Sequence, residues 1–160
     1  MYNSDGELIG IVNAKIVYDG VENIGYAIPS NVAVSIAENI IDYCYGTSTE
    51  RVQRAMLGIT VSASDSKAVY DSETGLVFIR ETVSVYEVTE GSFSDGILQS
   101  GDVIESAVIN GQLLSITRQH HIIDLMLDVR VGDVVILNVI RDGEEKEISF
   151  TITEDCLSEY

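Results

Sequence analysis

His120-His121 and Asp124 come nearest, in this sequence, to a set of side chains that could hold a metal or move a proton. His121 and Asp124 stand at i and i+3, which places them on one side of a helix. They offer a cation only two ligands, too few for a structural site, so a solvated polar helix face is the better reading. Asp71-Ser72-Glu73-Thr74-Gly75 opens like a calcium loop but lacks the later ligands at the required spacing, and a turn is expected there. Cys44 and Cys156 have neither metal-ligand spacing nor a nucleophile motif around them. Two lone cysteines so far apart read as free thiols, with pairing left open for an oxidising compartment. No cofactor and no metal are expected.

Charge excludes more than it includes. With 9 Lys and Arg against 26 Asp and Glu, the formal charge is −17. Nucleic-acid binding needs a basic footprint, and anionic membrane surfaces repel such a chain. No apolar run approaches the ~20 residues of a membrane span. Met1 to Gly6 lacks the basic and apolar regions of a signal peptide, so no export segment is expected from these residues. A 46% share of hydrophobic residues suffices for a core, and 1 proline with 13 glycines argues against a long disordered tract.

The elements that must position any site follow from periodicity. Asp5-Gly6 signals a hairpin, followed by strand-like residues from Leu8 to Val17, a turn at Asp19-Gly20 and a short strand from Ile24 to Ile28. Pro29-Ser30-Asn31 marks a helix start. Ala33, Ile36, Ala37, Ile40, Ile41 and Cys44 then form an apolar stripe on a helix that ends at Gly46. Residues 46–54 are polar and read as a linker. Beyond them the period changes to two: strands are expected at 57–62, 67–70, 76–80, 82–88 and 103–109, with a hairpin turn at Asn110-Gly111. A helix is expected over about 117–129, then a final hairpin of 134–141 and 145–153 around Asp142-Gly143. Several strands with one late helix make a small α+β domain.

Asn3-Ser4-Asp5-Gly6, Leu8-Ile9-Gly10-Ile11-Val12-Asn13 and Ile24-Gly25-Tyr26-Ala27-Ile28-Pro29-Ser30-Asn31 resemble the end of the trypsin-like barrel in HtrA/Deg serine proteases. The remainder resembles the PDZ domain that follows the protease in that family. Its motifs are Leu57-Gly58-Ile59, Gly91-Ser92, Gly101-Asp102-Val103-Ile104, Asn110-Gly111, the helix, Gly132-Asp133 and Arg141-Asp142-Gly143. The segment from Lys67 to Val83 is longer than the family's usual connection, and Gly91 to Gly96 lacks its short Pro-Ala-rich helix. The resemblance implies a truncated barrel remnant with its helix (1–45), a linker (46–54) and a PDZ-like, partly open β-barrel or sandwich with one main helix (55–155).

For the site, the resemblance implies strand addition by an extended peptide whose C-terminal carboxylate is captured by backbone N–H groups. Leu57, Gly58, Ile59, Thr60 and Val61 would form one wall, and Gln119, Ile123, Met126 and Leu127 the helical edge. Ile122, Leu125 and Val129 are expected in the core, although a core role for all six apolar helix residues stays open. Val12, Asn13, Ala14, Ile24, Gly25 and Tyr26 correspond to the protease's substrate strand and the wall of its specificity pocket. The family's nucleophile, histidine and aspartate would lie before Met1, so no catalytic residue is expected in this chain.

Three functions stay open at this point: a peptide-binding module for hydrophobic C-termini or unfolded segments, a portion of an active endopeptidase, and an assembly module whose groove holds the chain's own tail. A homo-oligomer through the barrel remnant is a further expectation, since two or three strands cut from a barrel leave open edges. The resemblance implies an extracytoplasmic setting.

Overall fold

A computed structural model describes residues 1–15, 25–44 and 53–159. Ile24, the Asp19-Gly20 turn, residues 46–52 of the expected linker and Tyr160 lie outside the described residues. The chain divides into two compact units, Met1–Gln53 and Arg54–Tyr160.

In the first unit, β1 (Gly10–Lys15) pairs antiparallel with β2 (Gly25–Pro29), and α1 (Ser30–Cys44) follows directly. The register shifts at Asn13, between Val12↔Ala27 and Ala14↔Tyr26. The expected two-residue turn at Asp5-Gly6 is wider. The Asn3 amide donates to the Glu7 carbonyl at 3.0 Å, while Asn3 Oδ1 accepts the amides of Asp5 and Glu7. An Asx side chain that satisfies two loop amides competes with the tighter turn.

The stripe of α1 is also rotated from its expected place. Tyr43 and Asn39 are buried and Val32, Ala33, Ile36 and Ile40 half-buried, while Ile41 is 56% exposed and Ala37 is exposed. A tyrosine ring removes more apolar area from water than the alanine that a hydropathy stripe counts as its equal.

The second unit contains the principal sheet. In chain order its elements are β3 (Gln53–Ala55), β4 (Ile59–Tyr70), β5 (Val77–Val88), β6 (Val103–Ile109), β7 (Gln112–Ser115), α2 (His120–Asp128), β8 (Val134–Arg141), β9 (Glu144–Thr151) and β10 (Leu157–Glu159), with a 3-10 turn at Glu154–Cys156 before β10. The sheet runs β4-β5-β6-β8-β9, with β7 paired to β6, while β3 and β10 form a separate pair. The observed architecture is therefore mostly β, with two helices and open sheets.

Period-two patterning explains the core. Val83 and Val85, Ile104, Ala107 and Ile109, Val135, Leu137 and Val139, and Phe150 with Ile152 all turn inward. Ile122, Leu125, Met126 and Val129 cover them from the helix side. Asn110 and Asp142 adopt positive φ ahead of Gly111 and Gly143, the backbone that tight hairpins demand.

Two expectations change in detail. The strands foreseen as four pieces between 57 and 88 are two continuous strands of 12 residues each. Their interruptions are register shifts at Thr60/Val61 and Ser64/Lys67, the second beside Asp65 at φ 52°. A bulge inserts residues without ending a strand, and sequence periodicity reads that as a break. Packing also continues past residue 155, because Cys156 is buried as a free thiol and Leu157 packs on the core.

Asp102 anchors the loop between β5 and β6. Its carboxylate accepts Arg141 Nε and Nη2, both at 2.7 Å, and the Gln99 amide at 2.9 Å. Arg141 Nη2 also donates to the Ile97 carbonyl at 2.9 Å. Burial pushes this carboxyl up, but the Arg141 guanidinium, the Gln99 amide and the charge of Lys146 outweigh it and hold Asp102 below the ordinary carboxylate range.

Candidate functional site: a groove between β4 and α2

β4 is the terminal strand of its sheet, so one edge of its backbone is unpaired by strands among the described residues. α2 runs beside that edge and leaves two adjoining clefts. The smaller, about 70 Å³, is lined by Arg54 to Ile59 together with Ile122, Ile123 and Met126. The larger, about 460 Å³, is lined by Ile59, Thr60, Val61, Glu81, Arg118, Gln119, His120, Ile122 and Ile123. Ile59, Ile122 and Ile123 belong to both, so the clefts form one groove along β4.

The smaller end is built around Gly58. Its φ is +70°, a conformation that costs an L-residue ~1–2 kcal/mol. A Cβ placed there would stand 2.3 Å from Ser92 Cβ and 2.5 Å from Ser92 Oγ. The Gly58 carbonyl is held from the other side by the Thr89 amide at 2.9 Å and the Ser92 hydroxyl at 3.3 Å. Glycine is thus required twice, by backbone angle and by close approach. Leu57, before it, is buried in the core.

The wider end is tied by the residues that precede α2. Gln119 Nε2 donates to the Val61 carbonyl at 2.8 Å, and the Gln119 amide donates to Glu81 Oε2 at 3.2 Å. Arg118 Nε lies 3.3 Å from the same carboxylate oxygen. The Val61 carbonyl therefore faces α2 rather than β5, and the strand's free edge carries an acceptor into the groove.

His121 is part of the helix's own start. The Thr117 amide donates to its Nδ1 at 3.3 Å, and burial, followed by the neighbouring His120, lowers its pKa below 6.5. A neutral ring accepting a backbone amide is a structural arrangement. Among the described residues no group of three or more His, Cys, Asp or Glu could hold a metal ion. Asp71 closes a turn, with Oδ1 accepting the Glu73 amide and Oδ2 the Thr74 hydroxyl. Those bonds, the Thr74 hydroxyl first, lower its pKa.

Sequence comparison places the chain. Over 163 residues it is 30% identical to the serine protease Do-like HtrB of Bacillus subtilis, covering 99% of this chain and 34% of that protein. Over 157 residues it is 31% identical to the periplasmic pH-dependent serine endoprotease DegQ of Escherichia coli, covering 95% of the chain and 31% of the relative. The chain is related to the HtrA/DegP serine proteases.

No protein-family model matches the chain. A solved structure of the HtrA-type protease AlgW with a decapeptide superimposes with a TM-score of 0.57 at 26% identity, covering 92% of this chain and 42% of that one. The serine endoprotease from Yersinia pestis, at 22% identity and a TM-score of 0.51, shares the fold over 99% of this chain and 46% of its own. The chain spans about a third of the length of the curated HtrA-type relatives it matches.

Of the groove residues expected from the sequence, Leu57, Gly58, Ile59, Thr60, Val61, Gln119, Ile123 and Met126 line the β4–α2 clefts. Leu127 does not: it is buried and lines neither cleft, because its position on α2 turns it inward. Ile123 is 52% exposed, which removes the alternative of six core residues on that helix. The helix itself is shorter than expected, starting at His120, since residues 117–119 are engaged with β4 and β5.

Val12, Asn13, Ala14, Gly25 and Tyr26 are exposed positions of the paired β1 and β2 in the first unit, and none of them lines either cleft. Arg54, Met56, Glu81 and Arg118 were not foreseen as lining. Arg118 and Glu81 meet only through the fold, and no sequence spacing signals a pair 37 residues apart. Among the described residues the tail segment Leu157–Glu159 pairs with β3 and not with β4.

Proposed function

We propose that residues 55–155 are a PDZ-type peptide receptor of an HtrA/DegP protease, and that residues 1–45 are the end of its trypsin-like protease domain. Hydrophobic C-termini or extended unfolded segments add as a strand to β4, and the terminal carboxylate rests against the backbone at Gly58. The carrying observation is the free β4 edge beside α2, closed at one end by Gly58 in its positive-φ conformation. Consecutive N–H groups at such a bend form an anion-binding concavity, and Ile59, Ile122, Ile123 and Met126 supply an apolar pocket for the last side chain. Arg54 lines the same end and adds a positive charge. That an AlgW structure carries a decapeptide supports this reading.

The sheet edge at β1 and the exposed Ile9, Ile11, Val12 and Tyr26 support a continuing barrel. In the longer protein this receptor would present substrates to, or regulate, a triad supplied by other residues. The periplasmic names of relatives support an extracytoplasmic setting. No helix among the described residues is long and apolar enough to cross a membrane.

The deciding experiment is fluorescence polarisation of a labelled peptide ending in an apolar residue, titrated with the full 160-residue chain beside its C-amidated twin. Binding of the free acid alone is the expected result. Equal binding of both would replace carboxylate capture by internal strand recognition, and binding of neither by a folded chain would remove the receptor reading.

Gln119 makes a second expectation. Its carboxamide occupies the Val61 acceptor that an added strand must use. An exposed neutral hydrogen bond is worth ~0.5–1.5 kcal/mol, so removing it should tighten peptide binding by up to roughly tenfold. Gln119→Ala is therefore expected to raise affinity; weaker binding in that variant would show that Gln119 holds the ligand instead.

A further inference from the structure

We infer that the paired ends of β4 and β5 form a second subsite, which takes an apolar or aromatic residue lying upstream in the same bound peptide. This rests on the receptor reading above. Beyond Ser64 and Thr82 the two strands pair, among the described residues, only with each other, through Lys67↔Arg80 to Tyr70↔Val77. They form a two-stranded ribbon that extends beyond the pairing of β5 with β6.

The ribbon is unexpectedly apolar. Tyr70 is 66% exposed, Val77 63% and Ile79 42%. Alternation assigns their direction: Val83 and Val85 face the core, so Glu81, Ile79 and Val77 share that face, with Ala68 and Tyr70 as cross-strand partners. Glu81 on this face is bound by Arg118 and Gln119, which confirms that the face looks toward the start of α2. A cleft of about 530 Å³ lies there, lined by Tyr70, Ile79, Arg118, His120 and His121 among others. Arg118 and His120 also line the groove along β4, so the two are continuous.

The occupant follows from direction and charge. A peptide whose carboxylate lies at Gly58 runs antiparallel to β4, and its upstream residues move toward Tyr70. From Val61 to the end of β4 at Tyr70 is about 30 Å at ~3.4 Å per residue, which puts roughly the eighth to twelfth residue from the peptide's end over the ribbon. An open two-stranded ribbon that shows large apolar side chains needs a cover. A second copy of this chain is a poor one, because two bodies of charge −17 repel. The upstream part of a ligand already anchored by its tail carries no such penalty.

The test compares a five-residue and a twelve-residue peptide with the same apolar free-acid tail, the longer one carrying either Phe or Ser at the upstream positions, against the full chain. The Phe twelve-mer is expected to bind at least about tenfold tighter than the other two. Tyr70→Ser with Ile79→Ser should erase that gain and leave the five-residue affinity and the circular dichroism spectrum unchanged; both side chains are exposed, so the fold does not depend on them. If the five-mer binds and the twelve-mer gains nothing, or the double variant keeps the gain, the subsite is refuted and the receptor reading stands. If neither length binds, both fall. A concentration-dependent dimer in sedimentation, lost in the double variant, would assign the ribbon to a second copy and overturn the proposal.

Discussion

Replacing Gly58 by alanine is expected to lower the folding free energy by about 2–4 kcal/mol and to abolish capture of a peptide carboxylate. Two costs add. An alanine at φ near +70° carries left-handed strain, and its Cβ would overlap Ser92 at 2.3 Å. The neighbour is another short side chain on a tight loop, so little can move aside.

The two costs separate by experiment. In the double variant Gly58→Ala with Ser92→Gly the overlap is gone and only backbone strain remains, so urea denaturation should recover roughly half the loss. Peptide binding should partly return in the double variant, because an alanine at position 58 that keeps its strained positive φ also keeps the bend at which the carboxylate is proposed to rest. Full affinity in a folded Gly58→Ala protein would mean that the carboxylate is held elsewhere, with Arg54 the first residue to examine.

Arg141→Leu should be the most destabilising charge deletion in the second unit, costing about 3–5 kcal/mol. Asp102 is 1% exposed and would be left with a buried charge and only the Gln99 amide to meet it. Asp102→Asn keeps the shape and tests the pH dependence. The folded pKa of Asp102 is depressed, so its stabilisation is fully present above the ordinary value of 3.8. It is lost as pH falls below that value and through the folded pKa. Wild type should therefore lose more stability than Asp102→Asn between pH 5 and pH 2, as read by denaturant midpoints. Parallel acid limbs for the two proteins would show that Asp102 and Arg141 are not coupled as the geometry requires. The pair lies away from the groove lining, so peptide affinity in folded Asp102→Asn should match wild type.

Legibility differed by element for physical reasons. The hairpins at Asn110-Gly111 and Asp142-Gly143 were readable because a two-residue turn demands positive φ that few residue pairs supply. The alternation of β9 was readable because one face of it is buried, ending in Phe150 and then Ile152. Most of the groove was readable through Leu57-Gly58-Ile59 and the phase of α2, which placed Ile123 and Met126 at its edge. The phase of α1 was not, because Asn39 and Tyr43 count as polar or mixed on a hydropathy stripe and are nonetheless buried.

By itself, then, the sequence determined the strand-rich second unit, its turn positions, the strongly acidic charge, and the kinship with HtrA/DegP proteases. Each of these is local or compositional, encoded within a few neighbouring residues. Tertiary structure alone decided that β4 and β5 run on as an apolar ribbon, that Gln119 reaches Val61, that Glu81 meets Arg118, and that the tail pairs with β3. Those outcomes depend on bulges and on pairs tens of residues apart, and no periodicity in the chain records which edges the fold will bring together.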